Sequence, residues 1–270
     1  MREAGMRIWD EIRGRWRTRC LIWLLALAAS VGGASPAFAL IDQSWVAAEG
    51  SDAAGCSALD PCLTLAKAYS MTATGGTIFV IDSGNYGIVT MTRGMSIRSE
   101  LGRPAITAQI LINAGAADRF VIADIDLVGT GTAAGIAYSY GIKVTGALEV
   151  LIQNVGIRDY QSGDATAVEI LSAYQVRVTV DNCTLYNNQV GVLVTNNGSG
   201  TGHLKMFRSL LLANYTAGVR VVNAGNDVLM AGSNVLGSVK ALDFQNGGTG
   251  KSYGNNTLTS GDIPTSQPLY

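Results

Sequence analysis

Asn154-Val-Gly-Ile-Arg-Asp159, Asn182-Cys-Thr-Leu-Tyr-Asn187, Ser209-Leu-Leu-Leu-Ala-Asn214, Ser233-Asn-Val-Leu-Gly-Ser238 and Asn255-Asn-Thr-Leu-Thr-Ser260 are five versions of one phrase. Each has a polar residue, two variable ones, Leu or Ile, another variable residue and a polar close. Successive copies begin 28, 27, 24 and 22 residues apart. A second phrase, small-apolar-variable-apolar, keeps step with it: Gly141-Ile-Lys-Val144, Ala167-Val-Glu-Ile170, Gly191-Val-Leu-Val194, Gly218-Val-Arg-Val221 and Ala241-Leu-Asp-Phe244. Two phrases locked to one period of 20 to 30 residues, rich in β-branched residues and without helical spacing, specify a solenoid of strands. One coil cannot bury its apolar side alone. Stacked coils can, each strand pairing above and below at about 4.8 Å. The expected fold is therefore an all-β, single-stranded parallel β-helix. Its interior file should hold Ile157, Leu185, Leu212 and Leu236, one per coil. Recurring Asn and Ser should sit at the bends and hydrogen-bond from coil to coil or back to the main chain.

Outward from the repeat, earlier turns are ragged but visible, as in Gly76-Thr-Ile-Phe-Val80 and Val121-Ile-Ala-Asp-Ile-Asp-Leu127. Cys62–Met71 is the one stretch with helical character, stopped by Gly75-Gly76. It reads as a cap over the first coil, which would otherwise offer an open edge to another chain. The expected organisation is a signal peptide over 1–39, a cap with its helix over 40–76, the β-helix over 77–261 and a tail over 262–270. The signal reading rests on six arginines before residue 20, the apolar run Leu21–Val31 and the small-residue close Ala37-Phe38-Ala39. Retention as an anchor is the alternative.

Composition narrows the function. Of the 270 residues 48% are hydrophobic and 14% charged, with a formal net charge of −1. Without the first 39 residues, 13 Lys and Arg face 17 Asp and Glu, a charge of −4. A nucleic-acid binder would carry a basic excess, so no nucleic-acid partner is expected. After signal removal no membrane span is expected either, and the destination is secreted or periplasmic. In that oxidising setting Cys56 and Cys62, six apart, read as a small-loop disulfide in preference to two free thiols. Metal ligation fits less well, because the single histidine, His203, is remote in sequence and lies in a Gly-rich segment read as a loop. Cys183 reads as a buried free thiol.

Trp45-Val46, Gly50, Cys56, Asp60-Pro-Cys-Leu-Thr-Leu65, Ala68, Gly75-Gly-Thr-Ile-Phe-Val80 and Gly84 resemble the amino-terminal region of exported bacterial right-handed parallel β-helix proteins of the pectin-lyase-like superfamily. The resemblance covers roughly residues 43–261. It implies a right-handed coil and leaves activity open, because the superfamily holds lyases, hydrolases, epimerases, adhesins and proteins without known catalysis. The paired Asp, Gly-His-Gly and Arg-x-Lys of its polygalacturonase-type members are not reproduced: Leu204 follows Gly202-His203.

Aligning the coils stacks Lys143 with Glu169, Arg220 with Asp243, Asp181 with Arg208 and Glu149 with Arg177. Opposite charges one coil apart suit an exposed sheet face. Glu169, Arg177, Asp181 and Arg208 are the catalytic candidates if a site exists. Tyr160, Tyr186 and Tyr215 are candidates to stack on sugar rings. Asp124 and Asp126, flanking Ile125, are carboxylates on one side of a strand, too few to imply a metal. No metal and no cofactor is expected. The function expected is an exported scaffold binding a polysaccharide or a surface partner. The alternatives are a polysaccharide lyase or glycoside hydrolase, and a purely structural or adhesive rod.

Overall fold

Strands of two to nine residues follow one another with almost no helix between them. The structure, a computed structural model, describes residues 40–129, 138–261 and the backbone of 265–266. The expected signal segment, and the expected tail apart from Thr265–Ser266, lie outside the described residues.

The chain winds as a right-handed parallel β-helix with three faces. Face one is a ten-stranded parallel sheet that includes Arg119–Ala123, Glu149–Gln153, Gln175–Asp181, Thr201–Phe207, Asp227–Ala231 and Thr249–Ser252. Face two stacks the short strands Asp126–Val128, Gly156–Arg158, Thr184–Tyr186, Leu210–Leu212, Asn234–Leu236 and Thr257–Leu258. Face three stacks Gly84–Met91, Ala105–Asn113, Tyr140–Gly146, Thr166–Ser172, Val190–Asn196, Ala217–Val222 and Lys240–Gln245. Ala105–Asn113 belongs to both: its start pairs with Asp126–Val128 and its end with Tyr140–Gly146.

The corners explain the polar phrases. Leaving face one, Asp124, Asn154, Asn182, Arg208 and Gly232 occupy one column, with φ of 58°, 54°, 53°, 48° and 60°. Leaving face two, Asp159, Asn187, Ala213 and Gly237 form a second such column, φ 50° to 68°. Asn, Asp and Gly enter this left-handed region at least cost. Their side chains also bridge the coils: Asn154 Nδ2 donates to Asp124 Oδ1 (2.8 Å) and Asn187 Nδ2 to Asp159 Oδ1 (2.6 Å).

Inside the corners run two buried polar ladders. Ser209 Oγ accepts from Cys183 N (3.1 Å), Ser233 Oγ from Ser209 N (3.2 Å) and Asn256 Oδ1 from Ser233 N (2.8 Å). Asn188 Oδ1 accepts from Tyr160 N (3.1 Å), and Asn214 Oδ1 from both Asn188 N (3.1 Å) and Asn188 Nδ2 (3.0 Å). Each supplies acceptors to backbone N–H groups that the turn withdraws from the sheets.

The small position of the second phrase is steric. A Cβ on Gly191 would lie 2.4 Å from the Gly218 carbonyl oxygen, and one on Gly218 2.1 Å from Val235 Cγ1. The expected register on face three holds, with Lys143, Glu169, Leu193, Arg220 and Asp243 forming one column.

The expected interior file does not hold beyond its second member. Ile157 stacks on Leu185, but Leu185 pairs with Leu211, and Leu211 with Val235. Leu212 and Leu236 continue the outward column of Arg158 and Tyr186, and Leu212 is 41% exposed. In a strand a one-residue slip reverses every side chain, and three consecutive leucines carry no alternation to prevent it.

At the amino-terminal end the helix Leu65–Met71 buries Leu65, Ala68 and Met71 against the interior. Thr64 caps it, its Oγ1 accepting from Lys67 N (3.1 Å), and Asp52 Oδ1 in turn accepts from Leu63 N and Thr64 N. The helix ends at Thr72 rather than at Gly75-Gly76, which lie inside the strand Thr72–Val80. Arg93 Nη2 donates to the Tyr69 and Thr72 carbonyls there, and its guanidinium lies 4.1 Å over the Tyr69 ring. Cys56 and Cys62 form a disulfide beside this cap. Cys183 is free and buried, and burial pushes its thiol up to about 11.

Candidate functional site

The outward column of face three is electrostatically closed. Lys143 Nζ lies 2.9 Å from Glu169 Oε1, and Asp243 receives Arg220 Nε (2.8 Å) on one oxygen and Lys240 Nζ (2.7 Å) on the other. Burial alone would raise the Asp243 carboxyl, but Lys240 and Arg220 outweigh it and hold the group below the usual carboxylate value. Burial, reinforced by Glu169, raises the Tyr140 phenol. Glu169 is thus paired with Lys143, and its register neighbours, Lys143 and Leu193, include no carboxylate to complete a paired-carboxyl site.

The other catalytic candidates stand elsewhere. Asp181 ends a face-one strand and takes Arg208 Nη2 at 2.5 Å on Oδ2, while its Oδ1 is buried without a partner. Arg208 is not in the Asp181 column. Phe207 is, and Arg208 reaches across from the left-handed corner column. Arg177 stands opposite Glu149 as expected, yet Glu149 turns away to Arg119 (3.9 Å). Glu169, Asp181 with Arg208, and Arg177 therefore do not converge.

The three tyrosines do not form a groove either. Tyr160 is fully buried, its hydroxyl donating to the Ala108 carbonyl (2.8 Å), and burial raises its phenol. It stacks with Asn188 and Asn214, whereas Tyr215 follows Asn214 in the next column. Tyr186 and Tyr215 are exposed. Asp124 and Asp126 are separated by the first corner: Asp124 pairs with Arg98 (3.5 Å), and Asp126 accepts from Arg103 Nε (2.9 Å). Among the described residues no group of three His, Cys, Asp or Glu is gathered that could hold a metal ion.

Two hollows on the outer surface are lined by described residues. One, about 660 Å³, lies at the first corner against Arg98, Glu100, Arg103, Asp124 and Asn154. Its arginines are held by Asp124 and Asp126, with Glu100 left over, so no cation there is free to meet an anion.

The second hollow, about 310 Å³, lies on face one against Gln175, Arg177, His203, Lys205, Asp227 and Lys251. Its residues project from four consecutive coils. Arg177, His203 and Asp227 are register neighbours in one column, and Lys205, Leu229 and Lys251 in the next outward column. His203 belongs to the strand Thr201–Phe207 rather than to a loop, and its Nδ1 lies 3.2 Å from Asp227 Oδ1. Among the described residues, every other Lys and Arg is engaged by a carboxylate, a carbonyl or another group. Arg177, Lys205 and Lys251 are the exceptions, and all three line this hollow. On a chain with an acidic excess, that concentrates unbalanced positive charge at one place. Lys205 and Lys251 are invisible to the two phrases, which do not extend across face one.

The three stacked faces, the corner columns and the helical cap define a parallel β-helix. The chain is similar to a solved structure described as a rhamnogalacturonan lyase, with a TM-score of 0.54 and 12% identity, over 78% of this chain and 67% of that one. No family model matches the sequence, and no curated protein does. At that identity the likeness concerns the fold.

Proposed function

We propose that this protein is an exported β-helix that binds an acidic polysaccharide on face one and acts as a scaffold rather than through a paired-carboxylate mechanism. The observation that carries this reading is the hollow lined by Arg177, Lys205 and Lys251, the three cations without a partner among the described residues. A regular sheet presents them at fixed multiples of the coil spacing, about 4.8 Å, so a linear polyanion is a better match than a compact one. Export is supported by the arginine-rich, apolar amino-terminal segment and by the Cys56–Cys62 disulfide. Among the described residues no helix is long and apolar enough to cross a membrane.

A lyase reading draws on one specific observation. His203, oriented by Asp227 and flanked by Arg177 and Lys205, could take a proton from a uronate whose carboxylate those cations neutralise.

Affinity electrophoresis in gels containing polygalacturonate or neutral dextran tests the binding reading. Retardation by the acidic polymer alone is expected. The triple variant R177S/K205S/K251S should lose about a hundredfold in affinity, each exposed charge contributing on the order of 1 kcal/mol. Equal retardation in both gels, or undiminished binding by the triple variant, overturns it. Unsaturated-sugar absorbance from polygalacturonate, with and without Ca²⁺, would replace the scaffold reading with the lyase one.

A further inference from the structure

We propose that His203 is a conditional fourth cation of the face-one hollow, so that polyanion binding strengthens as the pH falls. This rests on the reading of the hollow as an acidic-polysaccharide site. Asp227 Oδ1, 3.2 Å from Nδ1, fixes the ring, with the Nδ1 proton donated to the carboxylate. That leaves Nε2, 3.4 Å from the Gln175 side-chain Nε2. In the neutral ring, Nε2 accepts from that amide. In the imidazolium it donates, and the amide turns over to present its oxygen. The two states differ by one charge and one amide orientation, without movement of the sheet.

Arg177 on the preceding coil and Lys205 on the same strand oppose protonation, and Asp227 on the following coil favours it. Lys251 lies two coils on, in the Lys205 column. Glu149, beyond Arg177, is turned to Arg119. A polyanion seated on Arg177 and Lys205 screens the two charges that oppose the proton. Proton and polymer then favour each other, and by linkage equally. Imidazole is the side chain whose ordinary titration falls between about pH 5 and 8.

Dextran sulfate is the appropriate probe, since its sulfate charge does not change in that window. Its affinity for the intact protein should rise about fivefold between pH 8 and pH 5.5, the effect of one added exposed charge. The H203Q variant should show no such slope. His203 is the sole histidine of the chain, so its imidazole proton resonance can be followed without overlap. Saturating dextran sulfate should move its titration midpoint upward by about 0.7 pH unit, the same fivefold seen from the proton's side. That measurement needs no variant and stands if H203Q folds poorly. Affinity that is flat with pH in the unsubstituted protein, yet lost in R177S/K205S/K251S, overturns the role of His203 and leaves the polysaccharide site standing. Absence of binding at every pH overturns the site reading itself, and the role of His203 with it.

Discussion

Replacing Asn214 by alanine removes a side chain that serves three groups at once in the interior. Asn214 Oδ1 accepts from the Asn188 N–H (3.1 Å) and from Asn188 Nδ2 (3.0 Å), and its Nδ2 donates to the Leu185 carbonyl (3.1 Å). Asn188 and Asn214 are both fully buried. The variant leaves two N–H groups and one carbonyl unsatisfied away from water, at about 1–3 kcal/mol each. Allowing one of the three to find a new partner or a water molecule, the expected loss is about 2–6 kcal/mol. That is a large part of an ordinary folding free energy of about 5–15 kcal/mol. Urea titration followed by circular dichroism should show the midpoint falling by about 1–3 M. A matched control is N182G: Asn182 stands in the left-handed corner column (φ 53°), and its side chain makes only a long, exposed contact to Asn154 (3.4 Å). Glycine keeps that backbone conformation free of strain, so a loss below about 1 kcal/mol is expected. Near-equal losses for the two variants, or a loss under 1 kcal/mol for N214A, would refute the claim that the buried ladder, rather than the exposed corner column, holds the coils in register.

Two further expectations concern titrating groups. Asp243 has its carboxyl held below the ordinary value by Lys240 and Arg220, so its ion pairs contribute stability fully above about pH 4, lost as the pH falls through the lowered folded value. Melting temperatures of the unsubstituted protein and D243N should therefore differ at pH 7 and converge on acidification below pH 4; a gap that widens there contradicts the assignment. Cys183, with burial pushing its thiol up to about 11, should ignore a thiol reagent at pH 8 in the folded protein and react fully in denaturant, whereas prompt labelling of the native protein would place it at the surface.

The fold was legible because stacking turns a period into a column. Gly141, Gly191 and Gly218 stand where a Cβ would strike the next coil, Ala167 and Ala241 keep the same column small, and the face-three register follows from them. The corner after face one was legible only while it was built from Asn154 and Asn182. At the fourth coil the left-handed residue is Arg208, and the neighbouring Ser209 imitates the polar signal while Leu210, Leu211 and Leu212 supply no alternation. One residue of slip was enough to turn Leu212 outward. Tyr160 was misplaced for a related reason: it fills the interior beside Gly129 and Gly141, where a Cβ would meet its ring at 2.9 and 3.3 Å. The face-one hollow was only half legible. Arg177 and Glu149 could be aligned, but the segment Asn196–Gly202 varies in length between coils and hid that Thr201–Phe207 resumes the sheet with His203 and Lys205 on its outer side.

The serine ladder has a direction and a terminus. Each coil's backbone N–H leans on an oxygen of the coil that follows, until Asn256, whose own amide is occupied by the Met230 carbonyl (3.0 Å) and Ser252 Oγ (2.8 Å). Excising one complete winding, so that Ser233 replaces Ser209 beneath Cys183, would leave every link intact, whereas a cut of half a winding would strand one. Rod length is accordingly a modular quantity in this architecture, adjustable by whole windings without redesign of either end.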